Sequence, residues 1–70
     1  MSLRQAILRI AERKQLTKYK VAKMSGIPQS TFSDIVNEKN QNPTIETIGK
    51  IANGLGVTVS ELINEAERND

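Results

Sequence analysis

Apolar residues recur at helical spacing in five short runs, each bracketed by residues suited to helix ends. In the first run Leu3, Ile7, Ile10 and Ala11 share a face, while Leu8 lies off the stripe and is expected to be partly exposed. Ser2 precedes that run with Gln5 three residues on, a capping-box pattern that predicts a helix start. Thr17 is the candidate cap of a second helix that turns Val21 and Ala22 inward. It is expected to end at Gly26, because glycine enters the left-handed region at little cost. A third helix is predicted to begin near Pro28, where proline suits the first turn, and to bury Phe32, Ile35 and Val36. Glu38 to Pro43 is polar and Asn-rich and reads as a loop. Thr44 caps a fourth helix whose apolar face is Ile45, Ile48, Ile51, Ala52 and Leu55, with Gly56 as its stop. Thr58 and Glu61 form a second capping box before Val59, Leu62 and Ile63, and the tail, about 65–70, is expected to fray. No stretch beyond Val57–Val59 alternates with period 2, so the expected class is all-α, five short helices around one core.

Composition narrows this further. Seventy residues suit a single domain, 1–70. With 37 % hydrophobic and 26 % charged residues, a globular chain is favoured over a disordered one. Tyr19 and Phe32 are the only aromatics, so the core must be aliphatic. The chain has no cysteine and no histidine, which removes disulfides, Cys/His zinc sites and the commonest general base. No paired carboxylates replace them, so no catalytic residue, metal, cofactor or small-molecule ligand is expected. No apolar run approaches the roughly 18 residues of a membrane span, and no signal-like segment opens the chain; a cytoplasmic protein is expected.

The net charge of +2 conceals an asymmetry. Residues 1–23 carry seven bases (Arg4, Arg9, Arg13, Lys14, Lys18, Lys20, Lys23) and one acid, whereas residues 24–70 carry three bases and seven acids. The basic end would attract a polyanion if its side chains converge; otherwise they simply solvate helix surfaces. The second and third helices are joined by only about three residues around Gly26, which imposes the steep angle of a helix-turn-helix, about 18–37. Ala22 is small enough for the close approach and Ile27 plugs the turn. The outward face of the third helix, Gln29, Ser30, Ser33, Asp34 and Asn37, is short and polar, as base-edge readout in a major groove requires.

On these residues the chain resembles a known family. The stretch LTKYKVAKMSGIPQSTFSDIVNEK, followed by NPTIETIGKIANGLGVTVSELI, is similar to the Cro/C1-type (XRE-like) helix-turn-helix domain of phage repressors and bacterial regulators. The likeness runs from about Leu3 to Ile63. It implies a compact, five-helix, lambda-repressor-like domain whose third helix enters the major groove of double-stranded DNA. It also implies a homodimer on a pseudo-palindromic operator. Position by position, it implies base contacts from Gln29, Ser30, Ser33 and Asp34, and phosphate contacts from Thr17, Lys18, Asn37, Lys39 and Asn40. Gln29 suits adenine, whose N6 and N7 edges match one amide. Asp34 faces a constraint, since a carboxylate near phosphate must accept from cytosine N4 or turn away. Lys20 and Lys23, one turn further along, read as solvated; Tyr19 fits either a phosphate contact or packing across the first helix.

Three features depart from that pattern or from simple propensity. The family often pairs Arg with Glu at the positions of Ala11 and Val36; here both are apolar, which suggests a joint repacking with the two side chains in contact. Glu38 stands where the family has glycine, so a different helix stop or mild strain is expected. Gly49 and Gly54 inside the fourth helix each cost about 1 kcal/mol relative to alanine with no reason visible in the sequence. A small transcriptional repressor is the expected function; an antitoxin-like protein-interaction module keeping the same fold is the alternative.

Overall fold

The computed structural model describes residues 2–40 and 42–68. Five helices follow one another: α1 (Leu3–Arg13), α2 (Lys18–Ser25), α3 (Gln29–Val36), α4 (Ile45–Leu55) and α5 (Val59–Glu67), with no strand among the described residues. Four of the five starts are capped by a side-chain oxygen. Ser2 accepts from the Gln5 N–H, Thr17 from Lys20, Thr44 from Thr47 and Thr58 from Glu61. Only at Thr58 is the capping box complete, the Glu61 carboxylate accepting from the Thr58 N–H at 2.9 Å. That bond holds the Glu61 carboxyl below the usual carboxylate range. At Ser2 the N–H goes to the Ala66 carbonyl and Gln5 does not close the box. Pro28 is the N-cap of α3 itself, one residue outside the first turn, and supplies no capping side chain.

The ends of α1 to α4 share one device, whereas α5 ends on an extended residue, Arg68. A left-handed residue donates to the carbonyl three residues back, and the next N–H donates to the carbonyl five back. Gln15, Gly26, Glu38 and Gly56 occupy the left-handed positions. The longer bonds run from Leu16 to Ala11 (2.8 Å), Ile27 to Ala22 (3.3 Å), Lys39 to Asp34 (2.8 Å) and Val57 to Ala52 (2.9 Å). At the ends of α1, α2 and α4 this joins an aliphatic residue to a buried alanine, and Leu16, Ile27 and Val57 pack against the core. Ala22 therefore serves the turn as well as the helix approach. The end of α3 is the exception, with a charged residue at both positions.

The core is aliphatic apart from Phe32: Ile7, Ile10, Val21, Ile35, Val36, Ile51, Leu55 and Leu62, with Ala6, Ala11, Ala22, Ala52 and Ala66. Ala11 and Val36 are both buried in it, as the repacking reading requires. Two sequence expectations fail. Ile45 is 72 % exposed, because it lies at the margin of its stripe in the first turn of α4. The tail does not fray from residue 65: α5 continues to Glu67, with Glu65 and Ala66 buried. Tertiary contacts supply what the local sequence lacks. The Ser2 N–H donates to the Ala66 carbonyl at 3.0 Å. Arg13 bonds Glu65, and Arg9 and Arg68 approach it at 3.5 and 3.7 Å. The Arg13 hydrogen bond outweighs burial and keeps the Glu65 carboxyl below its usual range. Asn69 and Asp70 lie outside the described residues.

The position of α2 is set chiefly by α4, its most extensive partner. At Gly54 the two approach too closely for a side chain. A Cβ there would fall 2.0 Å from Ser25 Oγ, 2.8 Å from Ser25 N and 2.9 Å from the Val21 carbonyl. Gly49 faces only Val59 Cγ2, at 4.0 Å, so its absent side chain answers no steric need.

Candidate nucleic-acid interface

One face of α3 is spent on the core through Phe32, Ile35 and Val36. The other carries Gln29, Ser30, Ser33, Asp34 and Asn37 at helical spacing, all exposed except half-buried Ser33. All four residues expected to read bases thus share one stripe. Three of its members, Gln29, Ser33 and Asn37, make side-chain hydrogen bonds. Gln29 Nε2 donates to the Tyr19 carbonyl at 3.1 Å, fixing the amide against the first turn of α2. Asn37 Nδ2 donates to Ser33 Oγ at 3.0 Å.

The residues expected at phosphate fall into two groups, one at each end of the stripe. Thr17 and Lys18 open α2 beside Gln29, and Thr17 Oγ1 is engaged by the Lys20 N–H at 3.1 Å. Asn37, Lys39 and Asn40 follow the last turn of α3. There the Lys39 and Asn40 N–H groups both donate to the Asp34 carbonyl, at 2.8 and 3.0 Å. Their backbone donors are occupied within the loop, so an anion beside this loop meets side chains. At the other end α3 starts without a side-chain cap, and uncapped N–H groups at a helix start favour an anion. At Glu38, where the sequence predicts a different helix stop or mild strain, φ is +62, so the glycine conformation is kept by a residue with a side chain.

The basic N-terminal third does not converge on this stripe as a whole. Arg4 Nε donates to the Val36 carbonyl at 2.7 Å, placing a cation at the negative end of α3. Arg9 and Arg13 serve Glu65, and Lys14 Nζ reaches the Gly56 carbonyl at 3.3 Å. Lys18, Lys20 and Lys23 remain exposed along α2, with Lys39 exposed beyond α3. Tyr19 is 62 % exposed and takes no part in the core. Sequence reasoning missed the contributions of Arg4 and the Tyr19 carbonyl, since neither long-range contact has a local sequence signature.

Comparison with known proteins adds one finding. The family model of the Cro/C1-type HTH DNA-binding domain matches residues 6–64. No curated protein and no solved structure matches the chain.

Proposed function

Because the chain belongs to the Cro/C1-type helix-turn-helix DNA-binding family, we propose that it is a small transcriptional repressor that reads a specific duplex sequence with α3 in the major groove. The observation that carries this reading is the polar stripe on α3, with Gln29 already oriented by the Tyr19 carbonyl. Gln29, Ser30, Ser33 and Asp34 face base edges. Thr17 and Lys18 at one end, and Asn37, Lys39 and Asn40 at the other, face phosphates and set register. The Gln29 amide keeps its Oε1 and a second N–H for adenine N6 and N7 after bonding Tyr19. A homodimer would place two copies of α3 on a pseudo-palindromic operator, roughly one helical turn apart. The expected place of action is the cytoplasm, on the chromosome; no helix among the described residues is long and apolar enough to cross a membrane.

Asp34 and Glu38, both exposed acids near the end of α3, favour a second reading, an antitoxin-like module that binds a protein through this face. Binding of wild type and Gln29→Ala to single-base variants of a selected operator separates the two. The expected result is a loss of roughly 1–3 kcal/mol on the preferred site, with discrimination relaxed at one base position per half-site. An equal loss on every duplex would reduce Gln29 to a positioning role. No duplex binding by the wild type would leave the protein-partner reading.

A further inference from the structure

We propose that Asn37 sets the hydrogen-bonding polarity of Ser33, making it a donor toward the base it meets; the inference rests on the DNA-reading function of α3. Asn37 directly follows the helix, with φ −96 and ψ 8, and its side chain folds back one turn onto Ser33. Nδ2 donates to Ser33 Oγ at 3.0 Å. A serine hydroxyl has one proton and two lone pairs and rotates to suit its surroundings. An amide N–H can only donate, so it occupies a lone pair and leaves the proton to be offered elsewhere. Among the described residues this is the hydroxyl's one hydrogen bond. Ser33 lies mid-stripe, half-exposed, between Ser30 and Asn37 on the face turned from the core. The proton is therefore available outward, toward a groove.

Serine on its own is a poor discriminator, because it can donate to one base or accept from another. Fixing its polarity turns it into a selective group. A donor hydroxyl matches guanine O6 and N7, adenine N7 and thymine O4, and is mismatched against cytosine, which presents only its N4 amino group in the major groove. Asn37 acts here through Ser33, as a positioning residue.

The test inverts the polarity. In Asn37→Asp the side chain can only accept, so it takes the Ser33 proton and leaves Oγ to accept from the base. Wild type, Ser33→Ala, Asn37→Asp and the double variant are each used to select duplexes from a randomised pool, with thermal melts to show that all four are folded. Wild type is expected to favour an acceptor-bearing base at one position per half-site by roughly 2- to 10-fold, the worth of one hydrogen bond. Ser33→Ala is expected to lose that preference. Asn37→Asp is expected to shift it toward the amino groups of cytosine or adenine, while weakening binding to all sequences through its added charge. The double variant is expected to show no preference there. An unchanged preference in Asn37→Asp overturns the inference, as does a Ser33→Ala selection identical to wild type; in both cases the wild-type consensus keeps the DNA reading intact. A wild type that selects no consensus overturns that reading, and this inference with it.

Discussion

Gly54→Ala and Gly49→Ala place the same methyl group on the same helix and should shift stability in opposite directions. In an open helix either change gains about 1 kcal/mol from propensity. At Gly49 the new Cβ meets only Val59 Cγ2 at 4.0 Å, an ordinary contact, so most of that gain should survive. For a domain of this size it corresponds to a rise in Tm of roughly 4–8 °C. At Gly54 the methyl would sit 2.0 Å from Ser25 Oγ and under 3 Å from two backbone atoms of α2. A hydroxyl can rotate away; the Ser25 nitrogen and Val21 carbonyl cannot move unless the helices part. Overpacking of this kind costs about 3 kcal/mol at the upper end of its usual range. After the propensity gain, the net destabilisation is about 2 kcal/mol, or a fall in Tm of roughly 8–16 °C. Circular-dichroism melts and urea titrations of both variants measure this directly. Adding Ser25→Ala to Gly54→Ala should recover only part of the loss, since the backbone contacts persist. If Gly54→Ala stabilises the protein as Gly49→Ala does, the close approach of α2 to α4 is wrong.

Glu38→Gly should stabilise the fold by about 0.5–1 kcal/mol in urea titrations, because φ +62 costs a side-chain-bearing residue more than glycine's added unfolded-state entropy; no gain would contradict a left-handed closure of α3. Glu65→Gln should lower Tm at neutral pH. The folded-state Glu65 carboxyl titrates lower than the unfolded one, so its contribution is present above the ordinary glutamate value of about 4.3 and is lost as pH falls through the lowered value. The Tm gap between wild type and Glu65→Gln should therefore close in acid, and a gap constant from neutral pH to about pH 3 would refute the ion cluster. Val36→Glu alone should cost about 3 kcal/mol or more, since a buried carboxyl lacks a partner. Adding Ala11→Arg should restore much of this in denaturant titrations; a double variant no more stable than the single one would show the positions uncoupled.

The helix boundaries were readable because their chemistry is local. A threonine three residues before the N–H it caps, or a glycine just past the last turn, needs no knowledge of the rest of the chain. The same locality misled at Ile45, where a sound periodicity extended one turn beyond the packing partner. It failed at the tail, because Arg13 and Glu65 are 52 positions apart; of the three guanidinium groups around Glu65 only Arg68 is its neighbour in sequence. Gly54 was opaque for the same reason: its explanation lies in the backbone of another helix. On the candidate interface, the polar stripe of α3 could be read from helical spacing. The Tyr19 carbonyl could not, because every residue has a carbonyl and only the fold chooses which one meets Gln29.

The separation of α3 into two sets of residues bears on how such a protein can change its target. Phe32, Ile35 and Val36 anchor the helix, while Gln29, Ser30, Ser33, Asp34 and Asn37 lie outside the core. Exposed substitutions away from special features usually shift stability by no more than about 0.5 kcal/mol. Mutations on the outer set can therefore accumulate without passing through unfolded intermediates. Retargeting, in evolution or in the laboratory, then becomes a search over a few surface positions on a fixed scaffold. The exceptions are Gln29 and the Ser33–Asn37 pair, whose internal hydrogen bonds couple them to a neighbour. Ser33 and Asn37 should be varied together, while Ser30 and Asp34 can be explored one at a time.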